Sequence, residues 1–294
     1  MKDGWIFIDK PKDISSFEVI RKLRKILNIK KIGHAGTLDP FATGVLAVAL
    51  GEATKSISYF NASKFYQFRV LFGISKDTDD STGKTLQTSN LIPSKKDIDV
   101  CLKNFIGFQQ QVPPRYSAVK INGKRAYQLA RENKTFEIKS KEVNIQNLTC
   151  LATEKKEEFI FTMECSSGTY VRSFARDLGK MLNTFAHVSE LRRIKIGKFG
   201  ENNIILLDNL AELVHIGDHF EMIHSIQDVL DDIPAVQLNR DLSKKFQNGL
   251  NFDYFNEDIF EDTLLIISDD KLIGIGKVRE GKIKPVRVFN LEKG

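Results

Sequence analysis

In "KIGHAGTLDPFATGVLAVALG", Lys31 to Gly51, one carboxylate, Asp39, stands between Leu38 and Pro40. Gly33 and Gly36 precede it, Gly44 follows, and an apolar run comes next. Proline disfavours the α conformation at the residue before it, so Leu38-Asp39 is expected in an extended or turn geometry. Glycines allow tight turns and close approach of a ligand backbone. The pattern predicts an acid presented by a stiff loop. In a cleft, such an acid either gains a cation or is driven toward its neutral form. Ionised, it is a nucleophile. A candidate cation lies far along the chain, in "CSSGTYVRSFARDLG", Cys165 to Gly179. If Gly168 to Arg172 is extended, Tyr170 and Arg172 point to the same side. A guanidinium grips a carboxylate in a planar two-point pair, and an aromatic beside that pair could stack on a flat heterocycle. Nothing local requires Arg172 to meet Asp39, and the plainer reading of Asp39 is a solvated loop acid.

The elements that would position these residues are legible in outline. "GWIFID", Gly4 to Asp9, alternates like a short strand. Ser15 and Glu18 have capping-box spacing, and Val19, Ile20, Leu23, Ile26 and Leu27 then repeat at helical spacing. Val45 to Leu50, Tyr66 to Phe72 and Phe159 to Cys165 read as strands, and Leu191 to Phe199 as extended chain. Helices are expected from Ser94, within Tyr170 to Leu182 after its first residues, and over Leu206 to Val214. "DTDDSTG", Asp77 to Gly83, reads as a polar loop. "TLLIISDDKLIGIGKV" reads as a hairpin turning at Asp269-Asp270, with one more strand in "IKPVRVF". The mixture predicts an α+β unit over 1–230 and a small β-rich unit over 231–294.

Composition narrows the functional classes. The chain has 294 residues, enough for a sizeable core, and a net charge of +6. Residues 231–294 hold ten Lys and Arg against twelve Asp and Glu, so the body before them carries the whole basic excess. A basic body with a mildly acidic tail fits a polyanionic partner held by the body. No apolar run is long enough for a bilayer, and "MKDGWIFIDKP" lacks the pattern of a signal peptide, so a membrane role is not expected. Cys101, Cys150 and Cys165 are odd in number and far apart, which predicts buried thiols in a reducing cytoplasm.

Several familiar motifs fail. "STGKT", Ser81 to Thr85, ends like a P-loop but has Thr78 where that motif needs Gly. Gly33 and Gly36 make no dinucleotide fingerprint. His215 and His219 are four apart, but Ile216 stands where a metalloprotease helix needs Glu. No metal and no cofactor are expected, and catalysis would rest on side chains alone. One segment does stand out by charge. "PPRYSAVKINGKRAYQLARENK", Pro113 to Lys134, holds six basic residues and one acid, with Tyr116 and Tyr127 among them. Such a mixture can grip phosphates and stack on bases, or it can be an exposed helix with a solvated face.

"GHAGTLDPFATGVLAVALGEATK" closely resembles the signature of the TruB family of tRNA pseudouridine synthases. So do "DKPKDISS", "KFYQFRVLFG", "DTDDSTG", "QVPPRYSAVKINGKRAYQLAR", "CSSGTYVRSFARDLG" and "AHVSELRRIKIGKF", in family order across most of residues 7 to 199. The resemblance implies the pseudouridine synthase fold: a mixed, largely antiparallel central sheet flanked by helices. It also implies a thumb or flap insertion at about 113–141 and a PUA-like C-terminal domain. The implied activity converts uridine 55 in the T-loop of tRNA to pseudouridine without a cofactor, in a cytoplasmic and monomeric enzyme. Asp39 matches the family's catalytic aspartate, Arg172 its paired arginine, and Tyr66 the aromatic that stacks on the target uracil and serves as a base at C5. Tyr170 and Leu191 match pocket residues. His34 matches a histidine that helps nucleotides leave the T-loop, and Lys10 with Pro11 a buttressing motif. Arg115, Lys120, Lys124, Arg125, Arg192 and Arg193 are the candidate RNA contacts. The sequence departs from the bacterial pattern at Ala35, where Thr is usual.

Plainer readings stand beside these. Tyr66 could be a half-buried sheet residue, Leu191 a core residue, and His34 a turn residue. The chain could also be a tRNA-folding factor in which catalysis is dispensable, or a synthase working on another RNA in a guide complex.

Overall fold

The structure is a computed structural model that describes residues 3–216, 221–254 and 262–291. His219 lies outside them. Strand β1 (Gly4–Lys10) leads to helix α1 (Ser16–Leu27), then β2 (Ile32–Ala35), β3 (Thr43–Leu50), β4 (Lys64–Phe72), β5 (Ile74–Lys76) and β6 (Thr85–Thr88). Next come α2 (Lys95–Leu102), β7 (Gly107–Gln111), β8 (Lys120–Ile121), β9 (Lys124–Arg125) and α3 (Ala126–Arg131). The long strands β10 (Lys141–Ala152) and β11 (Glu158–Cys165) follow, with α4 (Val171–Met181), β12 (Ala186–Ile196), β13 (Ile204–Leu206), α5 (Leu210–Ile216) and α6 (Ile226–Val229). The chain ends in β14 (Ala235–Gln237), α7 (Arg240–Gln247), β15 (Phe252–Asp253), β16 (Thr263–Ser268), β17 (Lys271–Arg279) and β18 (Lys282–Val288).

The central sheet runs β13-β1-β3-β12-β4-β11-β10-β7, with β2 added on β3. Among the described residues, only β1/β13 and β3/β12 pair in parallel in this sheet, so it is mixed and largely antiparallel, as expected. Helix α4 covers one face. Phe174 meets Phe68, Phe105 and Phe161 edge-on, at ring separations of 4.9–5.8 Å. Edge-to-face pairs set the positive ring edge against a negative face, which fixes α4 on the strands as well as burying it. Helix α1 packs Val19, Ile20 and Leu23 under β1 and β3, and the expected Ser15–Glu18 capping box closes its N-terminus.

The second sheet runs β14-β16-β17-β18-β15. Its turn residues Asp269 and Asp270 both have positive φ, 46° and 59°, the pairing that a two-residue hairpin of this twist requires. Leu265, Leu272, Ile275 and Phe289 pack with Trp5, Phe7, Ala47 and Ala49, so the β-rich unit is joined to the body through a shared core. The three cysteines are buried free thiols.

Three local expectations change. Gly168 to Arg172 is not extended throughout: a turn at Ser166–Thr169 redirects the chain, Tyr170 is the extended N-cap, and Arg172 lies in the first turn of α4. The expected helix at Leu206 begins instead at Leu210, because Ile204–Leu206 pairs with β1. Strand β10 was not expected, since its burial does not alternate and a bulge between Ile145 and Asn147 breaks its period.

Candidate active site

Asp39 is held from both sides. On its N-terminal side, the buried Ser16 hydroxyl donates to the Leu38 carbonyl at 3.0 Å and accepts from the Leu38 amide at 2.9 Å. On its C-terminal side, the Lys10 ammonium donates to the carbonyls of Pro11 and Ile14, each at 2.8 Å, and of Pro40 at 3.1 Å. Lys10 is fully buried, and burial pushes its pKa down to about 8, against the pull of Asp39 and other nearby acids. The loop is therefore rigid because of two polar side chains that serve only backbone groups. Its proline adds the turn geometry expected from sequence.

Arg172 gathers four segments. Nε donates to Asp39 Oδ2 at 2.8 Å and Nη2 to Oδ1 at 2.9 Å, the two-point pair. Nη1 reaches the Thr78 carbonyl at 2.9 Å, and Nη2 also reaches the Tyr116 carbonyl at 3.0 Å. Asp80 lies 3.6 Å from Nη1, its carboxylate accepting from Thr78 Oγ1 and the Thr82 amide. The Asp39 loop, the "DTDDSTG" loop, the basic segment and α4 thus meet on one guanidinium that is 4% exposed, while Asp39 keeps 32% of its side chain open to the cavity. Burial in the cleft raises the Asp39 pKa, Arg172 opposes this, and Asp80 adds to the rise. The remaining exposure and the two-point pair favour the carboxylate.

The cavity beside this pair has a volume of about 710 Å³. Its floor is formed by β4 and β12, where Tyr66 pairs in register with Arg193, and Leu191 with Phe68. Tyr66 is 6% exposed; burial raises its phenol pKa and the Arg193 guanidinium lowers it. Tyr170 and Leu191 line the cavity as expected. So do Tyr116, Ser117, Tyr127 and Arg131, which makes the basic segment one wall of the site.

Other expected residues lie elsewhere. His34 sits on β2 opposite Val48, outside the cavity lining, with Nδ1 buried and unbonded. Lys10 borders a separate cavity of about 270 Å³ with Arg192. Arg192 is locked to Asp9 by two hydrogen bonds, at 2.9 and 2.8 Å, and alternation along β12 turns it away from Arg193. Lys120, Lys124 and Arg125 are exposed on the β8–β9 hairpin. Arg115 donates to the Lys134 carbonyl at 3.1 Å and lies over the Phe136 ring. Ala35 faces a core that includes Trp5 and Phe7, where a methyl suffices.

Sequence reasoning missed two site residues. Lys64 lines the cavity two positions before Tyr66, and strand alternation alone puts both on one face. Asp80, 4% exposed, had no such signal in a loop of three aspartates.

The TruB family pseudouridylate synthase N-terminal model matches residues 24–171, its C-terminal domain model 172–233, and a further TruB C-terminal model 234–289. Proteins named tRNA pseudouridine synthase B are similar along nearly the whole chain. That of Ehrlichia ruminantium is 40% identical over 98% of this chain and 99% of its own, and that of Bradyrhizobium diazoefficiens 39% over 98% and 86%. A solved Cbf5-Nop10-Gar1 complex contains a chain with a TM-score of 0.71 and 25% identity, covering 99% of this chain and 84% of that one. With models that together span most of its length and relatives at such identity, the chain belongs to the TruB family of pseudouridylate synthases.

Proposed function

We propose that this protein isomerises one tRNA uridine, position 55 of the T-loop, to pseudouridine, with Asp39 as the nucleophile. The observation that carries the reading is the two-point Asp39–Arg172 pair at the edge of a cavity of about 710 Å³ floored by a buried tyrosine. That volume lies in the range of small-molecule sites, about 300–1,000 Å³, and suits an extruded nucleoside. A stacked uridine cannot reach a carboxylate so placed, so the base must leave the stack at a cost of a few kcal/mol. Stacking on Tyr66 and contact with Tyr170 and Leu191 return part of this.

In the reading we favour, Arg172 orients Asp39 and keeps it ionised, and Asp39 attacks either uracil C6 or ribose C1′, or takes the C2′ proton on a glycal route. Tyr66 takes the C5 proton at the end. The segment at 113–141 grips the T-arm through Arg115, Lys120, Lys124, Arg125 and Arg131, because phosphate contacts position RNA while the pocket reads the base. His34 acts outside the cavity, on nucleotides leaving the loop. Residues 231–294 form a PUA-like accessory domain, and the enzyme works as a monomer.

The test is base-resolution mapping of pseudouridine in tRNA incubated with the purified protein and with Asp39→Asn. One modified T-loop uridine with the wild type, and none with the variant, supports the reading. A fully active variant sinks it. If the variant still accelerates tRNA refolding, the folding-factor reading gains independent standing.

A further inference from the structure

The cavity has a second polar end that the Asp39–Arg172 chemistry does not use. Lys64 and Arg193 line it, 8% and 0% exposed, and neither has a carboxylate within ion-pairing distance among the described residues. Arg193 donates through Nε to the Val45 carbonyl at 2.7 Å and through Nη2 to the Gly36 carbonyl at 3.0 Å. Its buried Nη1 meets no acceptor with hydrogen-bonding geometry, although the guanidinium lies close enough to Tyr66 to shift its phenol. The Lys64 ammonium donates to Ser167 Oγ at 2.8 Å. Both cations approach Gly36: a β-carbon there would lie 3.3 Å from Arg193 Nη1 and 3.4 Å from Lys64 Nζ. Burial and the neighbouring guanidinium push Lys64 down to about 8, so it is still largely protonated at neutral pH.

Two adjacent buried cations without a counter-ion are costly, and such a cost is retained where a ligand repays it. The ligand must be anionic and small enough to reach the floor of the cavity. A backbone phosphate, tied to two sugars, belongs at the rim with the exposed cations of the basic segment. The uracil ring itself can reach the floor beside Tyr66. We propose that Lys64 and Arg193 are catalytic residues that form a cationic hole for the negative charge that the uracil ring carries once its bond to the ribose is broken.

This rests on the isomerisation reading above. When C1′–N1 breaks, its electron pair stays on N1, and resonance spreads the charge over O2 and O4. C1′ becomes electron-poor and is taken by the Asp39 carboxylate, or is relieved by loss of the C2′ proton. If Asp39 adds to C6 first, the resulting enolate places the charge on O4. C5 then bonds to C1′ as Asp39 is released from C1′ or C6, or as C2′ regains its proton. The C5 proton leaves and N1 takes one up, so the base is neutral again and no electrons enter or depart. On every route the ring is transiently anionic and must be held while it turns, which two fixed cations do without reorganisation.

The experiment uses the full chain with Lys64→Met and Lys64→Arg. It reads single-turnover conversion, tRNA affinity across a salt series, and thermal melting. For Lys64→Met, conversion is expected to slow by about 10²-fold, the scale of losing one preorganised charge-stabilising donor. Affinity and its salt slope stay unchanged. The melting temperature rises by about 2–4 °C, because an uncompensated buried charge is gone. Lys64→Arg recovers most of the rate. A salt slope reduced by about 1, with weaker binding, would mean a phosphate contact and overturn the proposal. A lower melting temperature with no rescue by arginine overturns it in favour of a packing role, and an unchanged rate overturns it outright. Failure of the underlying reading is separate, because the wild type would then form no pseudouridine.

Discussion

The two ends of the cavity handle charge in opposite ways. At the Asp39 end, Arg172 faces two carboxylates, and its remaining hydrogen-bonding capacity goes to the carbonyls of Thr78 and Tyr116. At the Lys64 end, two cations face a serine hydroxyl, backbone carbonyls and the Tyr66 phenol, with no carboxylate in ion-pairing distance among the described residues. A compensated pair fixes geometry: it sets where the Asp39 carboxylate sits before any ligand arrives. An uncompensated pair stores an unmet demand, which only a ligand of opposite charge relieves. Position and charge stabilisation are thus assigned to different ends of one cavity. Strands β4 and β12, which carry Tyr66 and Arg193, form the floor beneath.

The largest effect should come from Asp39, the proposed nucleophile. Asp39→Asn keeps the side chain's shape and removes its charge, so conversion should fall by at least about 10⁴-fold while tRNA binding changes little. Single-turnover assays with pseudouridine mapping measure the first, and equilibrium titration the second. If the variant loses binding as well, the Asp39 end holds the RNA rather than attacking it, and the comparison fails.

Arg172→Ala comes next. It leaves Asp39 and Asp80 without their guanidinium and strips donors from the Thr78 and Tyr116 carbonyls. Breaking a buried pair costs on the order of 3–5 kcal/mol, so melting temperature and rate should both fall, the rate by roughly 10²-fold or more. Arg172→Lys should recover little, because an ammonium cannot reproduce the planar two-point grip. This is the reverse of the pattern expected at Lys64, where losing charge raises stability, and a rise in melting temperature for Arg172→Ala would erase the contrast.

Asp80→Asn sharpens the comparison through pH. Burial raises the Asp39 pKa, and Asp80 raises it further. The reactive form is ionised, so the rate should fall as pH drops through that raised pKa, on a limb above the ordinary carboxylate range. Removing the Asp80 charge should move the limb to lower pH. An unmoved limb would mean that Asp80 only shapes its loop through Thr78 and Thr82.

Much of this was legible in the sequence, in an uneven way. The Ser15–Glu18 capping box, strand alternation and the Asp-Asp turn give the framework, since each is a local preference. The Asp39 loop was recognisable from its proline and glycines. Local pattern could not show that Arg172, more than a hundred residues away, closes on Asp39, because that contact depends on how α4 lies across the sheet. Only the family resemblance supplied it. Lys10 shows the opposite failure. Its motif was visible, but its physical task, three backbone carbonyls on either side of a turn, is a matter of tertiary geometry. Lys64 went unnoticed although its face was computable from Tyr66, since a lysine at the start of a strand usually signals solvent.

The smallest effect concerns the wall that both ends share. The basic segment is held mostly by bonds within itself, among them Ala126 N–H to the Val119 carbonyl at 2.8 Å, Tyr127 N–H to the Ser117 carbonyl at 3.0 Å and Arg115 to the Lys134 carbonyl at 3.1 Å, while Arg172 ties it to the Asp39 site through the Tyr116 carbonyl at 3.0 Å. Much of its surface is exposed, including Lys120, Lys124 and Arg125. Segments with few buried contacts open locally at little cost. Without RNA, the amides of Ala126 and Tyr127 should therefore exchange with solvent far faster than that of Leu38, which Ser16 holds in a buried bond. On the proposed reading, in which this wall orders as it grips the T-arm, binding of tRNA should slow Ala126 and Tyr127 by roughly tenfold or more. Hydrogen exchange followed by mass spectrometry, with and without tRNA, reads both. If the segment is already as protected as the Asp39 loop in the free protein, it is a fixed wall. The RNA must then enter a preformed cleft, and the adaptable element must be sought in the Ser166–Thr169 turn, which also lines the cavity.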